Sequence, residues 1–420
     1  MTYFADNFTH SNSFHQIKPL LDEFGSPLYV YDEQKITDNF HALNNAFADR
    51  YEKFKLCYAI KANANPAILR LLRKLGAHFD CSSMGEIYLA RNADAQFIIY
   101  SGNYNSEQEL RYAVDNQSDV INLDNITLLN RLASISVPDT ISFRINPGLD
   151  IPGAQYTLSG RNSKFGIHPD SVIGAYRNAL ELGVKKFGIH LMTGSNVLDT
   201  SYFSIITEFI MRVVTEIKQK LNIDMEFVDI GGGFGIPYAP DDKELDISYI
   251  AENVTGIVNR YVNKHNLTPP TLIIEPGRYI TGNAGYLIGT VQDIKQSYRK
   301  FIGTDISMNA ILRIPLFNAY HKISILQHTP SDRTETVTIC GQVCCENDVI
   351  RRDITVPCCS AGDIIVIHDI GAYGFAHSTR FNMRLRPAEV LMSKGIPYMI
   401  RERETLRECD RLTKIPEHLK

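Results

Sequence analysis

The chain has 420 residues, 44% hydrophobic and 21% charged, with a formal net charge of −4. This is ordinary globular composition with room for one large and one smaller domain, and an acidic balance without a basic run argues against a nucleic-acid or membrane-surface role. Eight cysteines, none in a CxxC pair, are too sparse for a disulfide scaffold and lack zinc-ligand spacing; reduced thiols in a cytoplasm are expected, and a metal is not.

The opening segment, "MTYFADNFTHSNSF", carries acidic and polar residues where a signal peptide needs a positive and then an apolar stretch. No run of 18 apolar residues predicts a transmembrane helix. "SPLYVYD" (26–32) predicts a strand of a second domain before the chain enters the first. Eight short apolar runs follow: "LCYAI" (56–60), "AHFD" (77–80), "FIIY" (97–100), "DVIN" (119–122), "TISFRI" (140–145), "KFGIHL" (186–191), "MEFVDI" (225–230) and "TLII" (271–274). Helical periodicity appears between some of them. After the first run, Ile68, Leu71, Leu72 and Leu75 recur at helical spacing, and Gly76 stops the helix. Eight strands alternating with helices predict a (β/α)8 TIM barrel, with its site at the C-terminal ends of the strands.

Polar residues do cluster just after the runs. They are Lys61 and Asn63; Ser83 and Glu86; Gly102 and Asn103; Arg144 and Asn146; His190 and Ser195; Gly231, Gly232 and Gly233; and Glu275 with Arg278. After residue 285 the texture becomes β-rich, as in "GYLIGTVQDI", "ETVTICG" and "DIIVIHD". The expected organisation is an N-terminal segment, 1–37, that joins a β domain, a barrel over 38–282, and a β-rich C-terminal domain over 283–420.

Lys61 ends an apolar strand in "YAIKANANP". It reads either as a snorkelling surface lysine or as an amine held at the mouth of a site. "DIGGGFGIPY" (229–238) places three glycines after a strand, either as a tight loop or as a phosphate cup. "EPGRYITG" (275–282) adds Gly277 and Arg278 at the eighth strand, and the loops after strands seven and eight are frequent phosphate sites in barrels. Glu275 reads as a surface partner of Arg278 or as a carboxylate for a ring nitrogen. A lysine, a phosphate cup and a carboxylate together describe a site for pyridoxal 5'-phosphate.

From about residue 26 to residue 405 the sequence resembles the pyridoxal phosphate decarboxylases of the alanine-racemase-like fold, specifically the diaminopimelate decarboxylase group. "YAIKAN" resembles their Schiff-base lysine motif, and "HFDCSSMGE" the segment that brings Asp80, Ser83 and Glu86 to the site. "DIGGGFG" and "EPGR" resemble the phosphate and pyridine-nitrogen motifs, and "GAYGFAHSTRFNMRLRPAEVL" the late signature with Tyr373 near the phosphate. The resemblance implies Lys61, Glu275 and Cys344 as catalytic residues, with Cys344 supplied across a homodimer to reprotonate the product. It implies cofactor contacts from Asp80, Ser83, Arg144, His190, Met192, Ser195, the three glycines 231–233, Gly277, Arg278 and Tyr373. Substrate contacts would come from Arg278, Arg313, Phe317, Cys345, Glu346 and Tyr373. Family racemases place an arginine at the ring nitrogen; Glu275 therefore favours decarboxylation.

Four departures bear on the substrate. "HLMTGSN" has Met192 where the family's second, ring-stacking histidine belongs; a thioether still packs on an aromatic face. "GQVCCENDVI" has Cys345 at the position of the glutamate that grips a distal ammonium, with Glu346 one residue later, and such a shift turns a side chain to the other face. "LRIPLFNAYH" keeps Arg313, matching the arginine for a distal carboxylate, but has Phe317 for the expected tyrosine. "GNYNS" has Asn105 where lysine is common. A pocket that keeps its cation and loses its acid favours a substrate with an acylated distal amine, and the expectation is N-citrylornithine in carboxylate siderophore (rhizoferrin-type) synthesis. The alternatives are meso-diaminopimelate, with lysine as product, and a non-catalytic homologue that binds a partner protein.

Overall fold

The structure is a computed structural model that describes residue 4 and residues 13–149 and 154–420. Most of the polar opening segment therefore lies outside the described residues. The chain divides into two compact units, one of residues 37–280 and one of residues 1–36 with 281–420.

After β1 (Leu28–Asp32), which belongs to the second unit, the chain enters a barrel. Its strands are β2 (Phe54–Ala59), β3 (His78–Cys81), β4 (Ile98–Tyr100), β5 (Val120–Leu123) and β6 (Thr140–Arg144). The chain then makes β7 (Ala154–Thr157), returns to the barrel as β8 (Lys186–His190), and pairs β9 (Gly194–Val197) antiparallel with β7. β10 (Met225–Asp229) and β11 (Thr271–Ile274) complete a closed, eight-stranded parallel barrel in the order β10-β11-β2-β3-β4-β5-β6-β8. The eight apolar runs are these eight strands. The β7–β9 ribbon has no counterpart in that reading, because its residues alternate between half-buried and exposed on β7 and carry no apolar signal.

Local chemistry sets the helix ends. Asn65 caps the helix Pro66–Leu75 by accepting from the Ala67 N–H, Pro66 occupies the first turn, and Gly76 ends it at φ 104°. Its buried face is Ile68, Leu69 and Leu72, while Leu71 and Leu75 are only half-buried, so the apolar stripe is rotated from the one the sequence predicts. Ser106 and Glu109 form a capping box at the helix Glu107–Asp115.

Inside the barrel Cys57, Ile99, Val120, Phe227 and Ile273 form one buried cluster. Gly188 on β8 is the small residue that admits the Phe227 ring of β10, since a Cβ there would lie 2.0 Å from it. The second unit continues with β12 (Gly285–Gln296), β13 (Lys300–Thr304), β14 (Ile323–Leu326), β15 (Thr334–Cys340), β16 (Val349–Pro357), β17 (Ile364–Ile367), β18 (Ala388–Ser393) and β19 (Ile396–Arg401). The path β16-β15-β13-β12-β1-β18-β19 carries β1 at its interior, antiparallel to β12 and parallel to β18, with β17 and β14 branching from β12. Leu28 and Val30 of β1 pack with Ile288, Val366, Val390 and the helix Ser13–Phe24. No described helix is long and apolar enough to cross a membrane.

Gly188→Ala should overpack the barrel and cost about 1–3 kcal/mol, read as a lower urea midpoint. Adding Phe227→Leu to the same chain should recover part of the loss, because it removes the ring that the new methyl meets.

Candidate active site

Lys61 stands on a single 3₁₀ turn, Ile60–Ala62, directly after β2. The Asn63 carboxamide oxygen accepts from the Asn65 N–H, and Asn65 in turn caps the next helix. "NANP" thus closes the turn and fixes where the lysine points. The Lys61 Nζ lies 2.5 Å from Asp80 Oδ2, a carboxylate whose side chain is 0% exposed. A snorkelling amine would turn to water; this one turns to a buried acid. The Ala59 N–H donates to the Pro276 carbonyl (3.1 Å), and a Cβ on Gly277 would lie 2.8 Å from the Ala62 Cβ. Gly277 therefore lets the "EPGR" segment close on the lysine turn.

Three strand ends meet at a second pole. His190 closes β8, Asp229 closes β10 and Glu275 follows β11. His190 Nε2 lies 3.2 Å from Glu275 Oε2, both side chains being 2% exposed. Asp229 Oδ1 accepts from the Gly231 N–H at 2.8 Å. Burial, and the nearby Glu275 charge, push the Asp229 carboxyl well above its usual range, and the same two effects raise Asp80 against the pull of Lys61. Burial would also raise Glu275, but the His190 imidazole and the Lys61 ammonium outweigh it and hold that carboxyl below the ordinary range. Asp80 Oδ1 and His190 Nδ1 are buried with no hydrogen-bond partner among the described residues, and the buried Asp229 and Glu275 carboxyls lie close enough to share a proton. Folded proteins leave few such atoms, so this pole is built to receive polar groups.

The glycine run is a corner of close approach. Gly231 and Gly233 have φ of 71° and 95°, and a Cβ on Gly231 would lie 2.2 Å from the Leu191 carbonyl. On Gly232 it would lie 2.3 Å from the Glu275 carbonyl. Arg278, 6% exposed, donates from Nη1 to Tyr238 Oη (2.7 Å) and from Nη2 to Ser195 Oγ (3.1 Å). The loops after β8, β10 and β11 thus share one basic, hydroxyl-lined corner. The Gly232 N–H points at Met192 Sδ, 3.2 Å away, and Arg144 donates to the Met192 carbonyl at 3.0 Å while lying over the Phe165 ring. Arg144 holds the loop that carries Met192. Ser83 caps the helix Met84–Asn92 through the Glu86 N–H, and Glu86 accepts from the Ser82 N–H. Asn105 is buried against the Tyr100 hydroxyl, 2.6 Å away, which accounts for a short amide at that position.

The remaining candidates lie in the second unit. Arg313 is buried and opens the short helix Arg313–Phe317. The Phe317 ring lies 5.9 Å from the His377 ring, which stacks on Tyr373 at 6.0 Å. Tyr373 itself has φ 60°. Cys344 is exposed, Cys345 half-buried and Glu346 exposed. The Cys344 N–H donates to Asn382 Oδ1 at 2.7 Å. Asp348 organises this loop: its carboxylate accepts from the Met308 N–H (2.6 Å) and the Val343 N–H (2.7 Å).

Sequence reasoning missed Asp229, Tyr238, Asn382 and Asp348. The first two lie inside "DIGGGFGIPY", where the glycines carry the stronger signal; Asn382 meets the Cys344 amide, and Asp348 the Met308 amide, across long stretches of sequence, while the Val343 contact of Asp348 is local.

Residues 33–282 match the family described as pyridoxal-dependent decarboxylase, pyridoxal binding domain. The chain belongs to the pyridoxal-dependent decarboxylases. It is 38% identical over 404 residues to a diaminopimelate decarboxylase of Methanothermobacter thermautotrophicus, covering 95% of this chain and 94% of that one. It is 34% identical to the protein TabA of Pseudomonas amygdali pv. tabaci, covering 92% of each chain. The structure of a diaminopimelate decarboxylase from M. jannaschii in co-complex with L-lysine superposes with a TM-score of 0.89 at 33% identity, covering 96% and 95%. The decarboxylase cofactor fits the residues present: an amine at one side, unsatisfied buried polar atoms on Asp80 and His190, and the Arg278–Ser195 corner for an anion.

Asp348→Ala should remove two charge-assisted acceptors from main-chain N–H groups, each worth about 1.5–3 kcal/mol. Hydrogen exchange over 341–348 should accelerate, with the barrel amides unchanged.

Proposed function

We propose that this decarboxylase acts on meso-diaminopimelate, releasing one carboxylate as CO2 and giving L-lysine. The observation that supports this most is likeness over nearly the whole chain to diaminopimelate decarboxylases, including one seen with L-lysine. The N-citrylornithine expectation gives way to it. That expectation came from Cys345, Glu346 and Phe317, whereas relatives named for diaminopimelate, among them the Methanothermobacter enzyme, match both units.

In this reading Lys61 Nζ is the amine that holds the cofactor. His190 and Glu275 would line the ring of the bound cofactor, where an ionised Glu275 would keep a proton on its nitrogen. Ser195, the glycines 231–233, Gly277, Arg278 and Tyr373 hold the phosphate. Pyridoxal phosphate, when bound, supplies the sink for the electron pair left at Cα as CO2 departs. Arg313 takes the substrate's distal carboxylate. The chain works as a homodimer, with the exposed Cys344 of one copy returning a proton to Cα in the site of the other. All eight cysteines are free, which suits a reducing cytoplasm.

Purified protein with pyridoxal phosphate should be given equal meso-diaminopimelate and N-citrylornithine, with ornithine as control, and the products read by mass spectrometry. L-lysine should dominate; loss of CO2 mainly from N-citrylornithine would overturn the assignment. Lys61→Ala should lose the visible cofactor absorbance of the holoenzyme, and an unchanged spectrum would sink the role given to that amine.

A further inference from the structure

We propose that His321 is a positioning residue that fixes the Arg313 guanidinium for a distal substrate carboxylate. This rests on the diaminopimelate reading, in which Arg313 takes that carboxylate.

Arg313 is 2% exposed and His321 1%, so water does not hold either side chain in place. A guanidinium offers only donors, and a contact with it needs an acceptor. Arg313 Nη1 lies 3.0 Å from His321 Nε2. An imidazole nitrogen accepts only when it carries no proton. The second ring nitrogen decides that question here. His321 Nδ1 lies 2.9 Å from the His368 carbonyl oxygen, which can only accept. Nδ1 therefore carries the hydrogen, and the Nε2 lone pair faces Arg313. The main chain of His321 is pinned as well: its carbonyl accepts from Arg351 Nη2, and the Arg351 guanidinium lies over the Tyr320 ring at 4.2 Å.

The neutrality of this partner matters. Buried arginines are usually held by carboxylates, which cancel the charge they fix. An imidazole in this tautomer fixes the direction of one N–H and adds no charge of its own. His368 adds no competing cation, since burial lowers its ring to about 4 and its Nε2 meets Ser324 Oγ at 2.8 Å. His321 therefore orients the guanidinium without adding an anion of its own.

The test uses the holoenzyme and two inhibitors that differ at the distal end. L-lysine keeps the distal carboxylate; cadaverine lacks it. For His321→Leu we expect KM for meso-diaminopimelate and the inhibition constant for L-lysine to rise together by about tenfold, the loss of one hydrogen bond to a charged group. Inhibition by cadaverine should stay unchanged, and the loss should fall on KM more than on kcat. His321→Gln should recover most of the affinity, because its side-chain oxygen can accept from Arg313. If His321→Leu leaves KM and L-lysine inhibition unchanged, or weakens both inhibitors equally, the inference is overturned. Arg313→Gln is read separately: should L-lysine inhibition survive it, the distal-carboxylate role of Arg313 fails, whatever His321 does.

Discussion

Three carboxyl groups buried in one neighbourhood govern this chain's barrel. Asp80, Asp229 and Glu275 are each nearly or fully removed from water, and the Glu275 charge adds to burial in raising the hold of Asp80 and Asp229 on protons. Burying one ionised carboxylate without a partner is penalised by several kcal/mol. Three together demand cations, protons or donors from a bound group. That demand explains why a lysine follows β2 and why a histidine closes β8. It also separates the roles of the carboxylates: Glu275, with His190 beside it, stays ionised, while Asp229 is driven toward its protonated form.

The loops that frame this pole are held by the main chain as much as by side chains. Gly231 and Gly232 let two strand ends approach the carbonyls of Leu191 and Glu275 more closely than any Cβ would permit. Arg144 ties the Met192 carbonyl, and the Gly232 N–H meets the Met192 sulfur. A weak sulfur acceptor thus stands at this corner, and the backbone geometry around it is kept by stronger bonds nearby.

The barrel was legible because each strand is a short, almost continuous apolar run bounded by polar residues, the pattern that burial on both faces imposes. The site was legible for a related reason: polar residues at strand ends have no place in a core and need another use. What was not legible depended on partners far away in sequence. Ser83 reads as a site residue by position, yet its hydroxyl also caps a helix. Tyr238 gains meaning only when Arg278 reaches it, and Asp348 only when the Met308 and Val343 amides do. The substrate reading turned on Cys345, Glu346 and Phe317 as letters; the structure adds that Asp348, three residues from Cys345, holds its loop, and that the His377 ring, distant in sequence, lies beside Phe317.

The pairing of β1 has a consequence for the order in which the molecule can be made. Residues 37–280 are contiguous, so the barrel has all of its strands once that stretch has left the ribosome. β1 emerges first of all, with Leu28 to Tyr31 fully buried in the finished protein, but it pairs with β12 and β18, near the other end of the chain. At bacterial-like elongation of about 5–20 residues per second, the nascent strand waits on the order of tens of seconds for those neighbours. During translation it is an apolar segment with open edges on both sides, and the helix Ser13–Phe24, already synthesised, is the part of the chain at hand to cover one of its faces.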